Sequence, residues 1–104
     1  MFGMVIKYDY SGDEADWQTA VDTFISDINE DARLKGGFSY QVNVAGDGKG
    51  RVHIGQWDAE ETLNYLQSQP FFGEFGGKVK DFAGGAPDAT RFKLAARTAA
   101  PVAG

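Results

Sequence analysis

The chain has 104 residues, a formal net charge of −5, 42% apolar residues, 13% aromatic residues and eight phenylalanines. This length accommodates one domain with a single modest core, and the apolar content excludes disorder of the whole chain. The net negative charge and the scattered positions of the ten basic residues argue against a nucleic-acid surface, because phosphate binding draws on clustered Lys and Arg.

The residue types that are missing or rare exclude further classes of function. Cysteine is absent and His53 is the only histidine, so the sequence excludes disulfides, thiolate metal sites, a Cys nucleophile and a His-rich metal site within one chain. It contains no apolar run of about 18 residues that could span a membrane, and its N-terminal residues do not resemble a signal peptide. We therefore expect a cytoplasmic protein without a membrane segment.

The N-terminal part of the chain predicts a strand followed by a helix. Residues 2–10 alternate with period two, which is typical of a strand. After a turn, apolar residues recur at the three-and-four spacing of an amphipathic helix of about five turns: Trp17, Ala20, Val21, Phe24, Ile25 and Ile28. Ser11 or Asp13 can cap its N-terminus, and we expect the diglycine at 36–37 to end it.

Two further strands are predicted at residues 38–44 and 51–57, joined by the glycine-rich segment 45–50. This connection favours a β-hairpin. It disfavours a phosphate-binding loop, which should lead from a strand into a helix N-terminus. Alternation in the third strand places Val52 and Ile54 on one face. Its other face carries Arg51, His53, Gly55 and Trp57.

The rest of the chain predicts a broken helical region and a last strand. Asp58 and Glu61 form a D-x-x-E capping box that starts a helix directly after the third strand. Pro70 interrupts this helix, and the segment beyond it contains three glycines that lower helix propensity, so we expect it to be short, irregular or bent. Residues 90–95 form the fourth strand. We assign residues 1–97 to the domain and residues 98–104 to a flexible tail.

The order of these elements predicts the fold class. Two strand–helix–strand units in succession are the βαββαβ arrangement of a ferredoxin-like α+β fold, with a four-stranded antiparallel sheet and helices on one face. We expect the helices to cover the more apolar face, which we assign to Met4, Ile6, Tyr40, Val42, Val52, Ile54, Phe92 and Leu94. We assign to the opposite face Val5, Lys7, Asp9, Ser39, Gln41, Asn43, Arg51, His53, Trp57, Arg91 and Lys93. This second face is either an ordinary solvated surface or the wall of a partly polar cavity between two chains.

The residues from Trp57 to Phe75 bear on that choice. Trp57 ends the third strand, an acidic helix start follows, and residues 66–71 read Leu-Gln-Ser-Gln-Pro-Phe. This order resembles the tryptophan, acidic helix start and S-x-x-F signature of the dimeric α+β barrel superfamily, which includes the antibiotic-biosynthesis-monooxygenase-like proteins. The resemblance implies a homodimer whose sheets face each other. It also implies a small-molecule pocket, either inside the barrel or between the sheet and helices of each subunit.

Haem degradation is one activity known in that superfamily. It uses an Asn on the first strand, the Trp that ends the third strand, and a haem-ligating His shortly after the S-x-x-F. Trp57 matches the Trp, but Phe75 stands where the His should be, and the first strand offers Lys7, Tyr8 and Asp9 instead of Asn. The missing ligand argues against haem.

A cofactor-independent monooxygenase acting on an aromatic or polyketide-like compound is the activity that the resemblance favours. Such a reaction needs an electron-rich substrate, a general base and a dry pocket, with no metal and no cofactor. His53 is the candidate base, with a pKa near neutrality if it is unperturbed. The predicted substrate-binding residues are Lys7, Asp9, Gln41, Trp57 and Phe75. The alternative is a non-catalytic ligand-binding or structural dimer, because a fold does not fix a function.

Overall fold

A computed structural model of the protein describes residues 1–100 and 102. The chain forms four strands and three helices, and their bounds are β1 (Phe2–Asp9), α1 (Glu14–Asn29), β2 (Phe38–Val44), β3 (Gly50–Trp57), α2 (Glu60–Gln67), α3 (Pro70–Ala83) and β4 (Asp88–Lys93). The part of the predicted tail that contains Pro101, Ala103 and Gly104 lies outside the described residues.

The strands form one antiparallel sheet in the order β2-β3-β1-β4, with β2 and β4 at its edges. The helices pack on one face of this sheet, and a core made mostly of aromatic and aliphatic side chains fills the space between the two layers. The predicted ferredoxin-like α+β fold is therefore confirmed. Among the described residues, no helix combines the length and the apolar character that a membrane crossing requires.

Local signals define α1 and the turn that follows it. The carboxylate of Asp13 accepts a hydrogen bond from the backbone N–H of Asp16 at 3.0 Å, which confirms one of the two predicted N-caps. The helix ends at Asn29, earlier than the diglycine predicts. The chain then turns over the carboxylate of Asp31, which accepts from two following backbone N–H groups, and it leaves the turn through Gly36 at a φ of 87°.

The two C-terminal helices differ from the prediction at their starts. Ala59, not Asp58, is the N-cap of α2 and makes no side-chain capping bond; Asp58 instead accepts a hydrogen bond from the hydroxyl of Thr62 at 2.6 Å. The predicted D-x-x-E capping box is therefore wrong. Pro70 is the first residue of α3, a position that tolerates proline because its N–H would be unpaired in any case.

The expectation that α3 is short or irregular is also wrong, because it is a helix of 14 residues. Three of its glycines, Gly73, Gly76 and Gly77, are exposed. They lower its intrinsic propensity, but Phe75 and Val79 on the opposite side are buried in the core. Tertiary packing of this apolar stripe stabilises the helix beyond what propensity alone provides.

The most consequential correction concerns the two faces of the sheet. Directly opposed residues of an antiparallel pair share a face. In the register of the sheet, His53 lies opposite Ile6 and Val42, and Trp57 lies opposite Phe38. These positions face the helices, so the predicted placement of His53 and Trp57 on the opposite face is wrong.

The faces of β4 are exchanged in the same way. Arg91 lies opposite Met4 on the helix side, whereas Phe92 lies opposite Gly3 on the outer side. A Cβ added to Gly3 would lie 2.2 Å from the ring of Phe92, which shows that this ring covers the glycine. The assignments for β1 and β2 stand: Met4, Ile6, Tyr40 and Val42 face the helices, and Val5, Lys7, Asp9, Ser39, Gln41 and Asn43 face outward.

Candidate functional site

The face correction separates the predicted site residues into two groups. His53, Trp57 and Phe75 come together between the sheet and the helices, where all three are buried. Lys7, Asp9 and Gln41 are exposed on the outer face of the sheet. A single cavity within one chain therefore cannot be lined by both groups.

A pocket of about 170 Å³ opens between the inner face of the sheet and the side of α2 and α3. Its wall is formed by Met4, Ile6, Phe24, Phe38, Tyr40, Gly55, Trp57, Leu63, Leu66, Gln67, Phe72, Phe75, Gly76, Val79, Pro87 and Arg91. Sites for drug-sized ligands usually measure about 300–1,000 Å³, whereas a cavity of about 150 Å³ holds benzene. This pocket is therefore of a size that suits one or two fused rings.

One side chain of the pocket wall, Trp57, has a buried polar atom without a partner. The indole Nε1–H of Trp57 has no hydrogen-bond acceptor among the described residues, although the side chain is only 3% exposed. A buried donor without an acceptor is costly. A ligand whose oxygen accepts from Nε1 would remove that cost.

The mouth of the same pocket carries a positive charge. The guanidinium carbon of Arg91 lies 5.6 Å from the centroid of the Trp57 ring, and both side chains line the pocket. Arg91 is exposed and forms no ion pair with a described residue. Trp57 and Arg91 thus give a mostly apolar cavity one end that favours a hydrogen-bond acceptor or an anion.

His53 lies immediately behind the pocket wall in a network of aromatic side chains. Its Nε2 lies 2.8 Å from the hydroxyl of Tyr8, and its Nδ1 lies 2.7 Å from the hydroxyl of Tyr40. The hydroxyl of Tyr8 also accepts from the indole Nε1–H of Trp17 at 2.8 Å. The imidazole is 0% exposed, and its ring packs 5.9 Å from that of Phe75.

Burial determines the charge of this network. It lowers the pKa of His53 to about 4, because the cationic form loses hydration that the surrounding rings do not replace. Burial also raises the pKa of Tyr8 and of Tyr40. All three groups are therefore neutral at physiological pH. His53 is a weaker base than an unperturbed imidazole, whose pKa lies near neutrality.

Tyr40 is the only member of this trio that lines the pocket. Neither its role nor that of Tyr8 was predicted from the sequence. The sequence indicated only that Tyr40 lies on the helix-facing side of its strand and that Tyr8, by alternation, shares a side with Met4 and Ile6. The register supplies the missing signal, since Tyr40 and Tyr8 each pair with a residue next but one to His53, namely Gly55 and Arg51. Knowledge of the register would have placed both tyrosines beside the only histidine.

A second polar group lies at the far end of the inner face. Arg51 is 1% exposed, forms an ion pair with Glu14, and places its guanidinium carbon 4.2 Å from the centroid of the Trp17 ring. Its Nη2 also donates to the backbone carbonyls of Tyr10 and Gly48. Because its donors are paired within the chain, this arginine anchors the hairpin and α1 and leaves no vacancy for a ligand.

The fold and pocket define a ferredoxin-like α+β protein with a small cavity under its helices. No family model and no curated protein matches the sequence. Solved structures do match the fold. Rv0793 from Mycobacterium tuberculosis has a TM-score of 0.75 at 14% identity, with 94% of this chain and 98% of that chain covered.

Two other neighbours have names that indicate an activity. SnoaB from Streptomyces nogalater, a cofactor-independent oxygenase, has a TM-score of 0.74 at 13% identity, covering 95% of this chain and 97% of that chain. A Caulobacter crescentus protein, named as a candidate antibiotic biosynthesis monooxygenase, has a TM-score of 0.72 at 14% identity, covering 91% and 90%. The chain therefore has the fold of the antibiotic-biosynthesis-monooxygenase-like proteins, as the resemblance implies. Identities this low show the fold alone.

Proposed function

We propose that this protein binds a small planar aromatic compound in the pocket between its sheet and helices and oxygenates it with dioxygen, without a metal or an organic cofactor. The observation that carries the proposal is the buried, unpartnered indole N–H of Trp57, a side chain in the wall of a mostly apolar cavity. The fold shared with a cofactor-independent oxygenase supports the reaction class.

The pocket limits the size of the substrate. Aromatic walls from Phe75 and Tyr40 favour a flat ring system, because stacked and edge-on ring contacts add to the burial of apolar area. The volume of about 170 Å³ accommodates one or two fused rings. Larger polyketide-like compounds would have to extend through the mouth beside Arg91.

The polar end of the pocket favours substrates with particular functional groups. Trp57 supplies a neutral donor and Arg91 a permanent positive charge, so this end favours a phenolate, enolate or quinone oxygen. A hydroxylated naphthalene has both features, a bicyclic ring and an ionisable oxygen. Ionisation makes such a ring electron-rich, which a reaction with dioxygen in a dry pocket requires.

The proposed reaction balances for a dihydroxynaphthalene. The ionised ring donates one electron to dioxygen, and the resulting superoxide combines with the ring radical to form a carbon–oxygen bond. The peroxide anion then takes up a proton, which replaces the one lost when the substrate ionised. The hydroperoxide loses water: its O–O bond breaks, the carbon–hydrogen bond at that position breaks, and two substrate hydrogens leave with the second oxygen atom. The product is a hydroxynaphthoquinone, and dioxygen is the only oxidant.

We also propose that the protein forms a homodimer through the outer face of its sheet. In the described residues, this face carries half-buried apolar side chains with no helix over them: Val5, Val52, Ile54 and Phe92. An apolar sheet face of this kind marks an association surface, and a second copy provides a matching face by two-fold symmetry. Lys7, Asp9 and Gln41 lie on this face, so a substrate role for them would require a ligand between the two sheets.

Oxygen uptake and binding together test the activity. Purified protein is incubated with dihydroxynaphthalene and isotope-labelled dioxygen in the presence of a metal chelator, and the product is analysed by mass spectrometry against a protein-free reaction. We expect faster oxygen uptake than in the control and one labelled oxygen atom in the product. Trp57→Phe, which keeps an aromatic ring but removes the N–H, should lower the rate, whereas Tyr65→Phe, which removes a hydroxyl bonded to Asp31, should not.

The same experiment distinguishes the alternative function. Saturable binding of dihydroxynaphthalene without oxygen uptake above the control would indicate a non-catalytic ligand-binding protein. Absence of both binding and uptake for one-ring and two-ring phenols would overturn the proposal. Equal rates for Trp57→Phe and the unmodified protein would remove the observation on which it rests.

A further inference from the structure

The positions of the heavy atoms around His53 do not show which group is the donor in each hydrogen bond. The chemistry of the groups limits the choice. Four groups form a chain: the indole of Trp17, the hydroxyl of Tyr8, the imidazole of His53 and the hydroxyl of Tyr40. The indole N–H can only donate, so the oxygen of Tyr8 accepts from it. A neutral imidazole has one donor and one acceptor, which leaves two ways to arrange the remaining protons.

In the first arrangement, Tyr8 donates its hydroxyl proton to Nε2, and Nδ1–H donates to the oxygen of Tyr40. Every donor behind the pocket wall then has an acceptor. The one unpaired proton is that of the Tyr40 hydroxyl, on a side chain that lines the pocket and is partly exposed.

In the second arrangement, Nε2–H donates to Tyr8, and Tyr40 donates to Nδ1. The oxygen of Tyr8 then accepts from both Trp17 and His53. Its own proton has no acceptor among the described residues, although Tyr8 lies in the buried core. A buried donor without an acceptor is the more costly fault, because Tyr40 lines the pocket and is partly exposed, so that its proton can be paired with water or a ligand.

We infer that His53 is held in the Nδ1–H tautomer by Tyr8 and Trp17, so that the hydroxyl of Tyr40 is a fixed hydrogen-bond donor to an acceptor oxygen of the compound in the pocket. Tyr40 is then the residue that touches the ligand, and His53, Tyr8 and Trp17 are positioning residues. The ligand acquires two donor contacts, one from Tyr40 and one from Trp57. This selects a planar compound with at least one carbonyl or oxyanion, and the part that concerns the ligand rests on the proposed function.

This inference also changes the role proposed for the histidine. In the Nδ1–H tautomer the lone pair of His53 is on Nε2 and is occupied by the hydroxyl of Tyr8. The imidazole therefore has no free base directed at the pocket, and the network donates a hydrogen bond to substrate oxygen instead of accepting a proton from it. In the oxygenation proposed above, Tyr40 would stabilise the quinone oxygen as it forms.

The tautomer is measurable without any ligand. Because the chain has one histidine, ¹⁵N-labelled histidine gives one pair of imidazole nitrogen signals. We expect the proton on Nδ1 and an unprotonated Nε2 in the free protein near neutral pH. A proton on Nε2 would overturn the inference, whatever the outcome of the oxygenation assay.

The contact with the ligand is tested with a matched pair of probes. Tetralone carries a carbonyl that only accepts hydrogen bonds, and tetralin is the corresponding hydrocarbon. We expect Tyr40→Phe to weaken binding of tetralone by roughly 3- to 10-fold, the effect of losing one neutral hydrogen bond, and to leave binding of tetralin unchanged. Tyr65→Phe is the control and should change neither affinity.

Equal weakening of both probes would show that Tyr40 only packs against the ligand, and would overturn its role as a donor. A second measurement does not depend on the stability of the variant. In the unmodified protein, tetralone but not tetralin should shift the Nδ1–H proton signal of His53, because hydrogen bonds in a chain polarise one another. If neither probe binds, the pocket proposal fails, while the tautomer measurement still decides the direction of the network.

Discussion

The two faces of the sheet are used in the opposite way from what the composition of β3 suggests, because its polar side chains face the helices and its aliphatic side chains face outward. The inner face, under the helices, contains Arg51 and His53, which are among the least exposed side chains of the protein. The outer face presents Val52 and Ile54 from the same strand. Burial of these two polar side chains follows the availability of partners: Arg51 and His53 are paired within the chain, whereas the outer aliphatic groups have no covering layer within one chain.

This difference shows what each face is suited to do. The inner face combines apolar rings with fixed donors, which favours recognition of a flat oxygen-bearing molecule. The outer face has apolar side chains at its centre, such as Val5 and Ile54, beside polar ones such as Lys7. Its apolar part favours association with a matching surface. Substitutions that exchange the character of the two faces test this distinction directly.

The largest effect is expected from His53→Leu, which makes the inner face apolar. The hydroxyls of Tyr8 and Tyr40 both lose their imidazole partner, and we expect the free energy of unfolding to fall by about 4 kcal/mol, since each unpaired hydroxyl costs about 1–3 kcal/mol. Urea unfolding at a fixed protein concentration measures this. An unchanged or raised stability would show that the buried network contributes nothing to folding.

The second effect concerns pH. The pKa of His53 is about 4 in the folded protein and about 6.5 in an unfolded chain, so the unfolded state takes up the proton first as the pH falls. The stability contributed by the neutral imidazole is complete above pH about 6.5 and is lost progressively towards pH about 4, amounting to about 3 kcal/mol. Unfolding measured between these values should show a steeper loss for the unmodified protein than for His53→Leu. Parallel pH profiles for the two proteins would contradict the depressed pKa.

The third effect is expected on the outer face. Ile54→Asp places a charge at the centre of the proposed dimer surface, and we expect the dissociation constant to rise at least about 30-fold, as for a central interface residue worth about 2 kcal/mol. Sedimentation equilibrium measures the constant. Thr19→Asp introduces the same charge on the exposed side of α1 and should leave it unchanged. A monomeric unmodified protein at high concentration would contradict the dimer itself.

The smallest effects are expected from two glycines of α3, and Gly3 on the outer face provides a contrast. Gly73→Ala and Gly77→Ala in α3 add a methyl group that meets no atom within 4 Å, and each should raise stability by about 0.5–1 kcal/mol. Gly3→Ala on the outer face is the contrasting change, because its Cβ would lie 2.2 Å from the ring of Phe92 and 2.5 Å from the carbonyl oxygen of Gly55. We expect it to destabilise the protein in thermal unfolding. If the substitutions in α3 destabilised the protein as much as Gly3→Ala does, the helix glycines would also be required for packing.

The sequence by itself determined the fold class and the sequence of elements. Period two in residues 2–10 and 38–44, the apolar stripe of α1 and the Asp13 cap are local features, and local features depend on residues close together in the chain. The same pattern, together with Trp57 and the S-x-x-F segment, was sufficient to indicate the superfamily fold.

Only the tertiary structure decided which face of β3 and of β4 is inside. Alternation defines two sets of residues in a strand but does not say which set faces the helices, and a shift of one residue exchanges them. In β3 the usual preference for burying Val52 and Ile54 fails, because His53 and Arg51 are paired by Tyr8, Tyr40 and Glu14 and can be buried instead. These three partners are distant from β3 in the sequence. Those partners become visible only when the register brings the strands together, and the pocket and its donors depend on them.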